Sequence, residues 1–527
     1  MPTSTIFALS TPPGRSALAV IRISGPNVGA ILDAMAPPRP KPRFAALRRL
    51  IDPTSGDILD EAIVLHFAAP KTETGEDMAE FQVHGGKAVV RAVLDALASC
   101  PGTRPAEPGE FAARAFANGK LDLAQIEGLA DLIDAETQGQ RQQAIAQATG
   151  LQSKRFEAWR NDLLRAMGLV EAAIDFSDEA DVSDKAITQA EAAARTLRAS
   201  IASHLDDGHR GEILRDGFRV VLAGPPNAGK SSLLNALARR DAAIVSAEPG
   251  TTRDVIDVRL DLEGHAVIVS DTAGIRETAS TVEQEGIRRT LEATRDADLV
   301  LWLTPAGQND DTCSPPLCGE GLREGEKRAL GEKGALVGGA SSDAPSAASP
   351  KSKRDLTILT KSDLLPPDPW IHVKHPPLGP PPLNSQTQGS LRGHPSSGSK
   401  GGSPSVRGVG GAAAHEQESC GSPLREADHA ISVKTGDGLD GLIVHIAALA
   451  RQAAGNASDP AITRVRHRRE LAAAVAHIDA FLAQSANPIE LRAEDLRLSA
   501  TALGRLTGRI DAEDVLGEIF SRFCIGK

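Results

Sequence analysis

Tyrosine is absent from this 527-residue chain, and aromatic residues make up only 3% of it. Cysteine is scarce too. The five thiols, at positions 100, 313, 318, 420 and 524, form no CxxC pair and no disulfide-framework spacing, which fits a reducing cytosol. Cys313 and Cys318 fall in low-complexity sequence and give only a weak hint of metal binding. No run of 18 apolar residues occurs, so no membrane span is expected. Only Met1–Ser4 precedes the first apolar run, so no signal or transit peptide is expected and the protein should be cytoplasmic. Positive charge is also in deficit: 58 Lys and Arg against 69 Asp and Glu give a net charge of −11. That balance excludes a bulk electrostatic nucleic-acid binder and leaves RNA contact to a local basic patch or to a partner protein. Arg464, Arg466, Arg468 and Arg469 form one candidate patch, a solvated helix face being the plainer reading.

What the chain does contain is enough for about three domains at the usual size of ~150 residues each. Residues 1–119 mix β-like runs (Leu18–Ile23, Ile63–Phe67) with a helical pattern at Lys87–Ala98, the signature of a small α/β domain. Charged turns stand out at Thr11–Arg15, from Thr74 through Glu80, and at His84-Gly85-Gly86. Residues 120–216 turn helical: Phe156, Trp159, Leu163, Met167, Val170 and Ile174 recur every three or four positions and draw one apolar stripe. Leu471, Val475, Ile478 and Leu482 repeat the habit within residues 451–527. The economical expectation is that the two helical blocks pack together, with residues 217–450 inserted between them as a nucleotide domain. Within that domain, stretches at about 305–355 and 365–428 are rich in Gly, Pro and Ser and should be low-complexity surface inserts.

The chemistry centres on Gly224–Ser231, which fits G-x-x-x-x-G-K-[ST] in full and lies between an apolar strand run, Phe218–Ala223, and a helical run, Ser232–Arg239. Gly224 and Gly229 let the backbone N–H groups and the helix N-terminus face an anion. Lys230 would reach the terminal phosphates, and the Ser231 hydroxyl would hold Mg²⁺. Gly250-Thr251-Thr252-Arg253-Asp254 follows, ahead of the strand Val255–Leu262, and its threonines can contact Mg²⁺ and the γ-phosphate as a first switch does. Ala266–Ser270 reads as a strand ending in Asp271-Thr272-Ala273-Gly274, with Asp271 on Mg²⁺ through water and the Gly274 N–H sensing the γ-phosphate. Another apolar strand, Leu299–Leu303, precedes the first insert. Thr360-Lys361-Ser362-Asp363 follows the strand Leu356–Leu359; the Asp363 carboxylate can accept from both N1–H and N2–H₂ of guanine, which makes GTP the expected nucleotide. Thr360 stands where Asn is usual, a change expected to loosen this loop. Ser432-Val433-Lys434 supplies a guanine-packing loop. Where Ras-like GTPases place a water-orienting glutamine, this chain has Ile275, so hydrolysis needs another group; an arginine finger or its equivalent supplies roughly 10³–10⁵-fold in rate.

Together, Asn227–Ser232, Gly250–Asp254, Asp271–Glu277 and the terminal Phe523-Cys524-Ile525-Gly526-Lys527 resemble the tRNA-modification GTPase family MnmE (TrmE). So do Thr11–Arg15, Ile21–Gly25, Thr74–Glu80, His84–Gly86 and Lys120–Gln125. The resemblance covers the whole chain apart from the two inserts. It implies a multidomain fold: an N-terminal α/β folate-binding-like domain that also dimerises, a discontinuous helical domain, and an inserted P-loop Ras-like G domain. It also implies a homodimer that joins the flavoprotein MnmG in a heterotetramer and builds an aminomethyl or carboxymethylaminomethyl group on the wobble uridine of certain tRNAs, driven by GTP hydrolysis.

Carried onto this chain, the resemblance assigns K⁺ to Asn227, Ser246, Glu248 and Thr251 and Mg²⁺ to Ser231 and Thr252. The family's catalytic glutamate falls on Glu283, which would orient the attacking water and fill the gap left by Ile275. The nucleotide set is Asn227, Ala228, Gly229, Lys230, Ser231, Ser232, Ser246, Thr251, Thr252, Asp271, Thr272, Ala273, Gly274, Thr360, Lys361, Asp363, Ser432 and Lys434. A 5-formyltetrahydrofolate-type one-carbon donor would sit on Arg22, Glu80, Lys120 and Lys527. Cys524 matches the family's C-terminal cysteine, either a nucleophile or, as we expect, a supporting thiol. The competing reading is a ribosome-assembly or RNA-chaperone GTPase of the Era or Der type, which shares the TTRD and DTAG motifs. Such proteins carry an RNA-binding module after the G domain, whereas this chain has a helical segment ending in Cys-Ile-Gly-Lys.

Overall fold

The computed structural model describes residues 4–176, 180–240, 242–244, 257–271, 296–306, 354–361, 427–456, 461–483, 487–510 and 526. The chain divides into two compact units. One comprises Met1–Phe218, Asp261–Val267 and Leu449–Lys527; the other comprises Arg219–Leu260 and Ile268–Ala448.

The first unit begins with β1 (Thr5–Leu9), β2 (Leu18–Ser24), α1 (Val28–Met35), β3 (Ala46–Ile51), β4 (Ile58–Phe67), β5 (Met78–His84), α2 (Lys87–Ser99) and β6 (Thr103–Pro105). They build a six-stranded sheet of order β3-β4-β5-β2-β1-β6, antiparallel except where β1 meets β6. Alternation along the strands sorts side chains to two faces. Ala19, Ile21 and Ile23 of β2 join Phe81 and Val83 of β5 in a core closed by Ile31, Leu32 and Met35 of α1 and Val93 and Leu97 of α2. The opposite face carries the intervening residues, Arg22 and Glu80 among them. There α3 (Glu110–Ala117) packs Phe111 against Ile6 and Ala8.

Five helices follow: α4 (Leu123–Asp134), α5 (Gln138–Ala148), α6 (Leu151–Asp175), α7 (Ala180–Leu205) and α8 (Arg210–Asp216). Capping boxes start two of them, Asp122 with Gln125 on α4 and Thr137 with Gln140 on α5, and each satisfies two backbone N–H groups that a helix start leaves open.

The chain continues with β7 (Phe218–Ala223), α9 (Lys230–Ala238), β8 (Asp257–Leu262), β9 (His265–Asp271), β10 (Leu299–Pro305), β11 (Arg354–Thr360), β12 (His429–Ile431) and α10 (Leu439–Ala454), which make up the second unit apart from Phe218, Asp261–Val267 and the end of α10 from Leu449. Their sheet has the order β12-β11-β10-β7-β9-β8, with β7, β10, β11 and β12 mutually parallel. The buried runs Val220–Leu222 and Leu299–Leu301 suit strands covered on both faces.

The chain then returns to the first unit with α11 (Val465–Ala483) and α12 (Ile489–Thr507). The helical stripe behaves as its periodicity predicts: Phe156, Trp159, Leu163 and Val170 of α6 share one core with Leu197 and Ile201 of α7, Leu471, Ile478 and Phe481 of α11, and Leu496 and Leu503 of α12. The helical domain is therefore discontinuous, built from chain on both sides of the G domain.

The arginine cluster at 464–469 is neither an RNA patch nor a solvated face. Arg464 donates to Asp131 at 2.7 Å, Arg466 donates to both carboxylate oxygens of Glu127 at 3.3 and 3.0 Å, and Arg468 pairs with Asp207 and Glu212. Arg469 alone of the four points mostly to solvent. Glu127 is buried, as is His467, whose Nε2 lies 2.8 Å from it. Burial opposes the charge on Glu127, but the His467 ring and the guanidiniums of Arg466 and Arg464 outweigh it and hold the carboxyl well below its usual range. Burial pushes the His467 imidazole down, against the pull of the Glu127 carboxylate beside it. The sequence shows these charges but not the carboxylates that α4 brings to them from far up the chain.

Candidate functional site

The phosphate loop joins the C-terminal end of β7 to the N-terminus of α9, the edge of a parallel sheet where ligands bind. Its shape depends on backbone angles most residues avoid: Gly224 has φ +138, Asn227 +62 and Gly229 +95. At Gly224 a Cβ would lie 2.3 Å from the Leu303 carbonyl oxygen of β10, so only glycine fits. Gly229 is the N-cap of α9 and offers no side-chain cap, which leaves the first N–H groups of that helix available to an anion.

Lys230 is buried, and its Nζ donates to the carbonyls of Gly224 and Pro225 at 2.8 and 2.9 Å. The Ser231 hydroxyl donates to Oδ2 of Asp271, the last residue of β9, at 2.7 Å. Two residues 40 positions apart thus meet at the mouth of the loop. A hydroxyl and a buried carboxylate are the oxygen donors that Mg²⁺ accepts, so the residues present fit that ion. Ala228 is buried and Ser232 exposed.

Thr360 ends β11 and is buried. Its hydroxyl donates to the Ala228 carbonyl at 2.6 Å and lies 3.3 Å from the Thr304 carbonyl. The hydroxyl ties the end of β11 to the phosphate loop, a contact that motif spacing does not reveal; the rest of the loop that threonine is expected to loosen, from Ser362, lies outside the described residues. Lys361 follows at φ +59. Ser432 is buried at the end of β12, where its N–H donates to the Asp437 carbonyl, and Lys434 is exposed on the turn. The described members of the nucleotide set therefore gather at the ends of β7, β9, β11 and β12. Ser246, Glu248, Thr251, Thr252, Thr272, Ala273, Gly274, Glu283, Asp363, Cys524 and Lys527 lie outside the described residues, as do the low-complexity stretches between 307 and 353 and between 362 and 426.

A second constellation occupies the sheet face under α3. Arg22 and Glu80 are register partners on β2 and β5, and both Nε and Nη2 of Arg22 donate to Oε1 of Glu80, at 3.2 and 3.1 Å. Glu73 lies 2.8 Å from Nη1 of Arg22, and the Phe111 ring sits 5.9 Å from the guanidinium. The exposed Lys120 reaches back along the connection between β4 and β5, near enough to Gly75 that a Cβ there would lie 3.0 Å from Lys120 Cε. Beside it the buried Arg114 bridges Glu76 and Glu110, and Glu76 accepts from Ser24. Ser10 donates to the Gly526 carbonyl at 3.1 Å, which sets the penultimate residue of the chain beside the end of β1. Sequence reasoning does not single out Glu73, Glu76 or Arg114 as site residues, although Glu76 lies within the charged turn from Thr74 through Glu80 and Glu73 immediately precedes it.

The chain is similar to known proteins along its whole length. Residues 5–120 match the family model for the GTP-binding protein TrmE N-terminus, and residues 123–524 match that for the MnmE helical domain. The chain is 42% identical over 525 residues to a tRNA modification GTPase MnmE of Maricaulis maris, covering 99% of this chain and 100% of that one. It is 44% identical over 529 residues to the protein of the same name from a Methylobacterium species, covering 100% of both. Among solved structures, the G domain of the Thermotoga maritima FeoB iron transporter is similar at 30% identity over 17% of this chain and 55% of its own, with a TM-score of 0.13. A phosphate loop on a parallel sheet, joined to a TrmE-type N-terminal domain and a discontinuous helical domain, defines a GTP-hydrolysing enzyme, and the chain belongs to the MnmE (TrmE) family of tRNA modification GTPases.

Proposed function

We propose that this protein is a K⁺-activated GTPase that works with the flavoprotein MnmG to form the 5-carboxymethylaminomethyl or aminomethyl group on the wobble uridine, U34, of certain tRNAs, in the cytoplasm. The observation that carries the reading is the phosphate loop itself, a glycine backbone at positive φ with Lys230 folded over it and Ser231 beside Asp271. In this proposal Ser231 and Thr252 would hold Mg²⁺, which would offset the charge that develops on the phosphates. Asn227, Ser246, Glu248 and Thr251 hold K⁺ in the place of an arginine finger. Glu283 orients the attacking water, Asp363 reads guanine, and Lys361, Ser432 and Lys434 frame the base. The N-terminal domain (1–119) binds the one-carbon donor, the helical domain (120–216 and 451–527) supports it, and the G domain spans 217–450.

Arg22, Glu80, Lys120 and Lys527 form the proposed site for the 5-formyltetrahydrofolate-type donor. The Arg22–Glu80 fork supports this, as does Gly526 beside β1, whose Ala8 pairs with Arg22 in register. A carboxylate can accept from the amino and ring N–H groups of a pterin, and a guanidinium can donate to its carbonyl. Cys524 is given a supporting role. A homodimer with the N-terminal domain at its interface is supported by the exposed cross-strand pair Leu47 and Ile63 and by the exposed Leu18 on the same sheet face, across β5 from them. MnmG and a second copy of this chain then complete a heterotetramer that acts on tRNA. The test is GTP hydrolysis in KCl against NaCl at equal ionic strength, for the wild type and Glu283→Ala. Strong K⁺ stimulation that vanishes in the variant is expected; equal rates in the two salts would refute the cation-dependent mechanism.

A further inference from the structure

Arg22 is held by carboxylates on two sides, and the two contacts differ in kind. Its Nε and Nη2 both donate to Oε1 of Glu80, a fork fixed by the cross-strand register. Its Nη1 lies 2.8 Å from Oε2 of Glu73, yet that buried nitrogen makes no aligned hydrogen bond. One edge of the guanidinium is thus locked to the sheet, while the remaining nitrogen is held by charge alone.

Glu73 comes from the connection between β4 and β5, and the residues beside it are tied inward. The Thr72 hydroxyl donates to the Glu76 carbonyl, the buried Thr74 hydroxyl is hydrogen-bonded to Ser24, and Asn118 donates to the Thr74 carbonyl. The backbone at position 73 is therefore fixed, while its side chain, 37% exposed, lies over the 15% exposed Arg22. A half-exposed carboxylate without hydrogen-bond alignment is a weak partner that a better-aligned acceptor can displace.

We infer that Glu73 is a carboxylate gate over Arg22: it covers Nη1 until a carbonyl oxygen of a formylated reduced pterin takes that nitrogen, and it thereby sets the affinity of the donor site. The inference rests on the reading of Arg22, Glu80 and Lys120 as that site. Glu73 acts through Arg22 and is a positioning residue. The expected sign is unusual for a carboxylate in a binding site, because its removal strengthens binding by ending a competition for Nη1. Glu80 has the opposite sign, since its loss frees the locked edge.

The experiment is calorimetric titration of 5-formyltetrahydrofolate into the full chain, comparing the wild type with Glu73→Gln and Glu73→Asp at low and high ionic strength. Glu73→Gln is expected to bind about threefold to fivefold more tightly at low salt, with the gain shrinking at high salt as an exposed ion pair is screened. Glu73→Asp, which keeps the charge, should stay close to the wild type. A wild type that binds the donor and a Glu73→Gln that binds equally or more weakly would overturn the gate. If no form binds the donor, the reading of the site falls, and the gate is then decided by phenylglyoxal labelling of Arg22, followed by peptide mass spectrometry. Labelling several-fold faster in Glu73→Gln upholds a displaceable cover, and equal labelling overturns it.

Discussion

The two constellations of this chain are built from different material. The phosphate loop is made chiefly of backbone: Gly224, Asn227 and Gly229 at positive φ, the open N–H groups of α9, and two side chains adjacent in sequence, Lys230 and Ser231, with Asp271 and Thr360 joining it from β9 and β11. The face under α3 is made of side chains from distant positions: Arg22, Glu73, Glu80, Arg114 and Lys120, each placed by a strand, a connection or the last turn of a helix. A backbone-built site must be contiguous, so it leaves a motif. A site built of side chains leaves isolated charges that look like any others.

The comparison is most severely tested by adding a single methyl group. Gly224→Ala drives a Cβ into the Leu303 carbonyl, and binding of a fluorescent GTP analogue should be lost by about 100-fold or more. Retained binding would mean that the backbone path is not what makes the site. Next comes the side-chain network of the helical core. Glu127→Gln strips a buried charge from Arg466, Arg464 and His467 and should cost about 3 kcal/mol of stability, read as a lowered Cm in urea with an unchanged m-value.

A conservative change should matter more at the side-chain site than at the loop. Arg22→Lys keeps the charge but cannot span Glu80 with two donors, so donor affinity should fall by about tenfold in calorimetry. Thr360→Val removes the hydrogen bond from the end of β11 to Ala228, worth about 1 kcal/mol, and should weaken GTP binding by about fivefold. The smallest expected effect is on pH dependence. Burial lowers the His467 value in the fold, so the unfolded chain binds the extra proton first, and stability is complete above the unfolded histidine value of about 6.5 and declines below it. Glu127, whose folded value is depressed, adds its own loss only below about pH 4 to 5. Melting temperatures from pH 8 to 5 should fall, and His467→Gln should flatten the slope between about 6.5 and 5.

Much of this could be read in advance wherever the physics is local. The strands and helices around Gly224–Ser231, and the apolar stripe of α6 that meets α11 and α12, follow from short-range periodicity. Cross-chain pairing is not local. The arginines at 464–469 read as a surface because Glu127, Asp131, Asp207 and Glu212 come from elements hundreds of positions earlier. The Thr360 contact is hidden because its acceptor, the Ala228 carbonyl, is 132 positions away. Glu73, just ahead of the charged turn, carries no signal of its own in the sequence; only β2 brings Arg22 beneath it.

The central claim is that one chain carries both the GTPase and a donor site that serves tRNA modification. It is tested most directly by nucleoside mass spectrometry of bulk tRNA from cells lacking the chromosomal gene and supplied with the wild type, Lys230→Ala or Arg22→Ala. The account predicts that the modified wobble uridine returns with the wild type and is missing with both variants. Full modification with Arg22→Ala would contradict it.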